Sequence, residues 1–337
     1  MRPHVILSFI LNKINTPPLY PLSFEPILKE KVWGGDLLHS KYQKKAKGNI
    51  GESWELSGVP NNVSVVKNGA LKSKSLKDLI EMYGSDLLGK KVFKTYKTTF
   101  PLLFKYIDAS QDLSVQVHPD DELASSRHGS FGKTEMWYVM HAEADARLIL
   151  GFEQPMTKEV YQRALENFNL TSILKSQQVE KGDAFFIAPG TVHAIGAGVL
   201  LAEIQQTSDI TYRIYDWDRP DSNGEMRELH TEEAAAAIDF RATNAQIDYE
   251  AKDNKPVRLK QTPFFETNIL KVNSFVERDL REKDSFIVYM CTEGSATIHA
   301  ENTIESIDQG QTLLIPASIA RVDIESESAT ILEVYIP

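Results

Sequence analysis

Apolar and polar positions alternate along this chain as they do in many short strands interrupted by a few helical turns. Residues 100–107 are almost continuously apolar and read as a strand buried on both faces. Residues 51–57, 62–66, 146–151 and 183–188 have strand length and strand composition, and 22–28 reads as a strand with 29–35 as the turn that ends it. Helical spacing appears at Leu76, Leu79, Ile80 and Tyr83 behind Ser75, which predicts one short helix, and at Val160, Ala164 and Leu165 behind Thr157. Residues 227–238 favour helix by propensity, with Thr231 the expected cap. After a polar stretch at 248–256, taken as a linker, short apolar runs recur at 265–272, 286–290, 296–299, 312–315 and 329–336. That spacing predicts a second sandwich or barrel.

Chemistry concentrates in residues 115–139. In an extended chain side chains two apart share a face, so Gln116 projects with His118 and Lys133 with Glu135. An amide oxygen, an imidazole and a carboxylate on neighbouring strands make three-quarters of a zinc site, with an ammonium beside it. The fourth ligand has to come from elsewhere. Pro189-Gly-Thr-Val-His193, following Gly182 and a short strand, resembles the second metal-binding motif of the cupins. An echo of the preceding stretch, residues 181–190, recurs at 308–317: a charged turn with glycine, an apolar strand, then proline and a small residue. Two copies of one small barrel would explain it. The second copy lacks the histidine and is expected to hold no metal.

A chain of 337 residues implies two domains or one large all-β assembly. With 37 basic against 47 acidic side chains and no basic run, nucleic-acid binding is not expected. The apolar run at 5–11 is too short to span a bilayer and is read as an extended start or an extra strand. A single cysteine, Cys291, excludes an intrachain disulfide and fits a reducing, cytoplasmic setting.

From about Tyr20 onward the chain resembles the type I mannose-6-phosphate isomerases in their shorter bacterial form. The resemblance rests on Val32-Trp-Gly-Gly, Gly51-Glu-Ser-Trp-Glu-Leu-Ser, Gln116-Val-His-Pro-Asp-Asp, Gly132-Lys-Thr-Glu-Met-Trp-Tyr, Gly190-Thr-Val-His-Ala-Ile and residues 209–219, in that order. It implies a mainly β fold of two cupin β-barrels with helical insertions: an extension at 1–19, a catalytic domain at 20–247 and a metal-free domain at 248–337. It implies one zinc ion held by Gln116, His118, Glu135 and His193, and an interconversion of mannose 6-phosphate and fructose 6-phosphate through an enediol. Arg213, Lys133 and Glu203 would be catalytic, and Arg219, near the phosphate, would bind substrate. The expected partner is a small-molecule substrate, with no nucleic acid or membrane, in a monomer or homodimer.

The residues support that chemistry independently. A metal stabilises developing enediolate charge without redox change. Zinc with one carboxylate leaves a local charge of about +1, to which Lys133, Arg213 and Arg219 would add, so an acidic chain can still attract a sugar phosphate. Trp54 and Trp217 are read as either core or site wall, with Trp54 a substrate-binding candidate. Trp137 is read as core, Asp120, Asp121 and Glu122 as a solvated turn or helix cap, and Glu52 with Glu55 as structural or exposed. His128, His141, His230 and His299 are read as surface groups. Two other readings use the same ligands: a different metal-dependent cupin enzyme, such as a dioxygenase or another sugar-phosphate isomerase, and a non-catalytic sugar-phosphate-binding cupin.

Overall fold

The computed structural model describes residues 16–45, 48–220, 223–242 and 244–337. Apart from 16–19, the expected N-terminal extension lies outside them. The protein is mainly β, and its strands form three sheets. Among the described residues none of these closes into the expected barrel; each is an open array.

The central sheet has the order Ile27–Gly35, Ile50–Leu56, Leu102–Ala109, Val199–Gln206, Glu135–Ala142, Ala184–Ile187. Leu102–Ala109 and Val199–Gln206 are buried at every position, because the sheet is covered on both faces. One face sends Phe104, Tyr106, Met136, Tyr138 and Ile204 against Phe286, Val288, Leu332 and Val334 of the C-terminal sheet. The other sends Ile107, Trp137, Val139 and Leu201 against Leu148, Leu150 and Ile195. Strand parity puts Lys105, Glu135 and Glu203 on this second face. The polar site is thus a set of interruptions in an otherwise apolar layer.

The sheet opposite has the order Tyr212–Tyr215, Val115–Val117, His193–Ile195, Arg147–Phe152, Leu174–Gln178. Its outer face is sealed by Tyr161, Leu170, Ala234 and Ile238, from the helices Lys158–Glu166 and Thr231–Ala237 and their surroundings. The eight-stranded C-terminal sheet is built on two long strands, Ile287–Ala300 and Arg321–Tyr335, paired along most of their length and bent by irregularities at 291–293 and 295–297. Leu22–Ser23 joins its edge and ties the N-terminal part of the chain to it.

Several local expectations are revised. Of the strand expected at 22–28 only Leu22–Ser23 and residues 27–28 are in strands, and the expected turn at 29–35 is instead strand, Ile27–Gly35. Glycine is needed there because a Cβ on Gly34 would stand 2.5 Å from the Asn49 carbonyl oxygen. Residues 62–66 make only isolated bridges to Phe24 and Ser75. The single helix after Ser75 is three, Leu76–Tyr83, Ser85–Leu88 and Lys90–Tyr96, divided at Gly84 and Gly89, both at positive φ. His230, not Thr231, occupies the N-cap of Thr231–Ala237. The expected strands at 286–290 and 296–299 are one continuous strand, because the partner strand runs past both.

The sequence echo has a structural counterpart. Gly182 and Gly310 both take positive φ in the turns that open the strands Ala184–Ile187 and Thr312–Ile315. In the central sheet Glu135 lies opposite both Ile187 and Gln205, and Trp137 opposite both Phe185 and Glu203. In the C-terminal sheet Ile287 lies opposite Ile315 and Tyr335, and Tyr289 opposite Leu313 and Glu333. The two three-strand registers coincide, with Glu203 matching Glu333 and Glu135 matching Ile287.

Candidate metal centre and its cleft

His118, Glu135 and His193 converge although they come from three separate strands or strand ends. Their ligating atoms lie within 4.8 Å of one another, and all three residues are buried. The register of His193 with Gln116 brings the fourth expected ligand alongside, its side-chain nitrogen 3.2 Å from His193 Nε2.

Local hydrogen bonds fix the two imidazoles. His118 Nδ1 donates to the Ile210 carbonyl and His193 Nδ1 to the Thr191 carbonyl, each at 2.9 Å, so both Nε2 lone pairs face Glu135. Nε2 of His118 is 3.5 Å from Glu135 Oε1, and Nε2 of His193 is 3.7 Å from Oε2. These are not ion pairs. Burial, with Lys133 and His193, holds the His118 imidazole well below its usual range, and burial pushes His193 down to about 4, so both rings are neutral at pH 7. Burial, reinforced by Glu203, pushes the Glu135 carboxyl up to about 7. Both Glu135 oxygens are shut away from water without a well-directed hydrogen bond. Lys133 partners Glu135 Oε1, but Oε2 is left facing the His193 Nε2 lone pair in a dry site, which is costly. The donor set of two imidazole nitrogens, a carboxylate and an amide therefore fits a divalent metal. Lys133 supplies positive charge here, its Nζ 2.9 Å from His118 Nε2 and 2.5 Å from Glu135 Oε1.

The cluster opens on a cleft of about 150 Å³ between the central sheet and the sheet opposite. Of the predicted residues, Gln116, Lys133, Glu203, Arg213 and Trp54 line it. Glu203 forms its floor, with Oε1 accepting from Lys105 at 2.9 Å and Oε2 from Trp137 Nε1 at 2.9 Å. Burial opposes its ionisation, but Lys105 and Lys133 outweigh that and lower its pKa. Arg213 donates from Nη1 to the Glu228 carbonyl, while its buried Nε has no partner. Arg219 stands back from the lining, bonded to Gln111 and Asp216 at 3.1 Å each. Trp217 caps the Leu113 carbonyl with its indole at 2.7 Å, and Trp137 is fully buried, as expected for core.

Sequence reasoning missed Lys31, Lys105 and Arg227, which also line the cleft, and set Glu52 aside as structural. Glu52 and Glu55 part company. Glu55 is buried in a structural set with Lys44 and Ser53, whereas Glu52 faces the cleft, 3.0 Å from Lys31 and accepting from Trp54 Nε1 at 2.6 Å. Lys105, inside an apolar run, was the legible signal: a lone lysine in a strand buried on both faces needs a buried partner. Asp120 caps the helix Asp121–His128 through the Leu123 amide, as expected of that acidic turn. His128 is exposed, as expected of a surface group, with its Nε2 2.8 Å from the Tyr212 hydroxyl.

Fold and site together define a β-sheet protein with a buried histidine–carboxylate cluster able to hold a metal, next to a cleft rich in cations. Residues 22–145 match the family model of the phosphomannose isomerase type I catalytic domain. The chain is 34% identical to mannose-6-phosphate isomerase ManA of Bacillus subtilis over 316 residues, covering 93% of this chain and 98% of that protein. It is 33% identical to the mannose-6-phosphate isomerase of Streptococcus mutans over 305 residues, covering 89% and 93%. The crystal structure of a Bacillus subtilis mannose 6-phosphate isomerase superposes with a TM-score of 0.85 at 31% identity, over 94% of this chain and 99% of that one. A phosphomannose isomerase variant from Salmonella typhimurium shares the fold, with a TM-score of 0.75 at 15% identity, over 94% of this chain and 100% of that one. The chain belongs to the type I mannose-6-phosphate isomerase family.

Proposed function

We propose that this protein interconverts mannose 6-phosphate and fructose 6-phosphate, with zinc held by Gln116, His118, Glu135 and His193. The observation that carries the reading is the buried His118–Glu135–His193 cluster, with Glu135 Oε2 facing His193 without a hydrogen-bond partner, next to a cationic cleft lined by Gln116 and Lys133. Bound zinc would supply Lewis-acid stabilisation of the oxyanion that develops as a proton moves between C1 and C2. Lys133 reaches the same point from the cleft side and donates hydrogen bonds to sugar oxygens. Glu203, with both oxygens engaged, holds Lys105 at the cleft floor and stays ionised. Arg213, the cross-strand partner of Gln116, brings positive charge to the cleft, and Trp54 walls it, its ring 5.3 Å from the Lys105 ammonium. Arg219 acts one step back, through Asp216.

The same reading organises the chain as two cupin-like units, a catalytic one at 20–247 and a metal-free copy at 248–337. It is supported by the coincident registers and by Ile287 where the first unit has Glu135. A single buried cysteine, Cys291, suits the cytoplasm, and no helix of the described residues is long and apolar enough to cross a membrane. The test is a coupled assay of the zinc-loaded protein on mannose 6-phosphate, beside glucose 6-phosphate and an EDTA-treated control. Turnover of mannose 6-phosphate alone, lost with EDTA, is expected. Absence of turnover, or turnover indifferent to the chelator, refutes the proposal.

A further inference from the structure

Two guanidinium groups meet at one carboxylate beside the cleft, and a third stands near them. Asp216 follows the strand Tyr212–Tyr215, and its side chain is 4% exposed. It accepts from Arg219 Nη2 at 3.1 Å and from both Nε and Nη2 of Arg227. An isolated bridge between Pro220 and Met226 closes the loop between these arginines and sets them side by side. Trp217 and Asp218 both hold positive φ, a conformation that side-chain-bearing residues rarely take in succession, so the turn before Arg219 is backbone-constrained. Burial disfavours the charged form of Arg213 and the nearby Arg227 adds to that, while Asp216 and Glu228 oppose it.

The charges around this carboxylate do not balance. Arg213, Arg219 and Arg227 bring three positive charges to two carboxylates, Asp216, which accepts from Arg219 and Arg227, and Glu228, which acts on Arg213. Arg213 and Arg219 each keep a buried Nε without a partner. Arg213 and Arg227 both line the cleft, and Arg219 does not. Two guanidinium groups line a cleft whose cations, Lys31, Lys105, Lys133, Arg213 and Arg227, outnumber its carboxylates, Glu52, Glu203 and Asp209, which suits a dianionic phosphate taking several charge-assisted hydrogen bonds at once.

We propose that Arg227, together with Arg213, grips the phosphate of the sugar phosphate, while Arg219 and Asp216 serve to position Arg227. The inference rests on the proposed isomerase function and adds a substrate-binding residue to it. Bidentate pairing to Asp216 keeps the Arg227 fork oriented and leaves its remaining N–H groups to donate. Arg219, anchored to Gln111 as well, keeps Asp216 in place without reaching the ligand.

The experiment compares zinc-loaded wild type, Arg227→Ala, Arg227→Lys and Arg219→Ala by steady-state kinetics on mannose 6-phosphate and by inhibition with inorganic phosphate. Arg227→Ala should raise KM and the phosphate inhibition constant by about 10- to 100-fold, the worth of a charged hydrogen bond, with kcat within about twofold. Arg227→Lys should recover part of that loss, since it restores charge without the fork. Arg219→Ala should change both constants by less than Arg227→Ala. Active wild type with Arg227→Ala unchanged in KM and inhibition, or with Arg219→Ala the more damaging, overturns this inference alone. Inactive wild type instead overturns the isomerase reading on which it rests.

Discussion

Glu52 offers a quantitative test of how the cleft is held together. Its side chain is 12% exposed, its Oε1 lies 3.0 Å from Lys31 Nζ, and its Oε2 accepts from Trp54 Nε1. Burial alone would raise its pKa, but Lys105 and Lys31, with the Trp54 bond, outweigh burial and bring it from 4.5 to about 2. The folded state therefore favours the carboxylate, and the stabilisation is present above the unfolded pKa and lost as pH falls from about 4.5 towards 2. At about 1.4 kcal/mol per pH unit, it amounts to about 3 kcal/mol at pH 7. Glu52→Gln keeps the shape and removes the charge. Urea unfolding of the metal-free protein, followed by tryptophan fluorescence, should show the variant less stable by about 3 kcal/mol at pH 7, with less than half of that gap left at pH 3. A gap below ~1 kcal/mol at pH 7, or one that holds or widens on acidification, refutes the reasoning.

Two further outcomes test the two halves separately. His193→Ala should lose stoichiometric zinc and isomerase activity together, with affinity falling by more than the roughly 10- to 100-fold typical of changes outside the ligand shell; metal analysis after dialysis decides it, and a variant retaining one zinc per chain removes His193 from the site. In the C-terminal unit Glu333 is fully buried and bonded to Arg278, Asn268 and Tyr289. Glu333→Ala should destabilise the protein by ~3–5 kcal/mol by stranding Arg278, and the pair Glu333→Leu with Arg278→Met should recover most of it. Thermal unfolding and zinc content are the readouts; lost zinc in Glu333→Ala would contradict the independence of the two halves.

Much of the metal centre was legible because it depends on parity. Gln116 with His118, and Lys133 with Glu135, are two apart in extended segments, and His193 follows a recognisable strand and tight turn. The cleft was legible only in part. Lys31, Glu52, Lys105 and Arg227 come from four separate segments, and no spacing along the chain joins them. The expected barrels illustrate a similar limit. Apolar periodicity marks which residues face inward, but it does not say whether a strand pairs with one neighbour or continues past it, as Ile287–Ala300 does.

By itself the sequence determined the strand-rich character, the residue types of the candidate ligands, the repeat of a glycine turn and apolar strand, and the absence of a histidine just after the second of these. These are local properties: alternation, turn chemistry and donor identity reside in a few consecutive residues. Tertiary structure decided which charges meet. Cross-strand register put Lys105 opposite Glu203 and Trp137 beside it, and the bridge between Pro220 and Met226 set Arg227 next to Arg219 on Asp216. Register is fixed by the packing of two covered sheet faces, a long-range balance of burial that no single stretch of sequence contains.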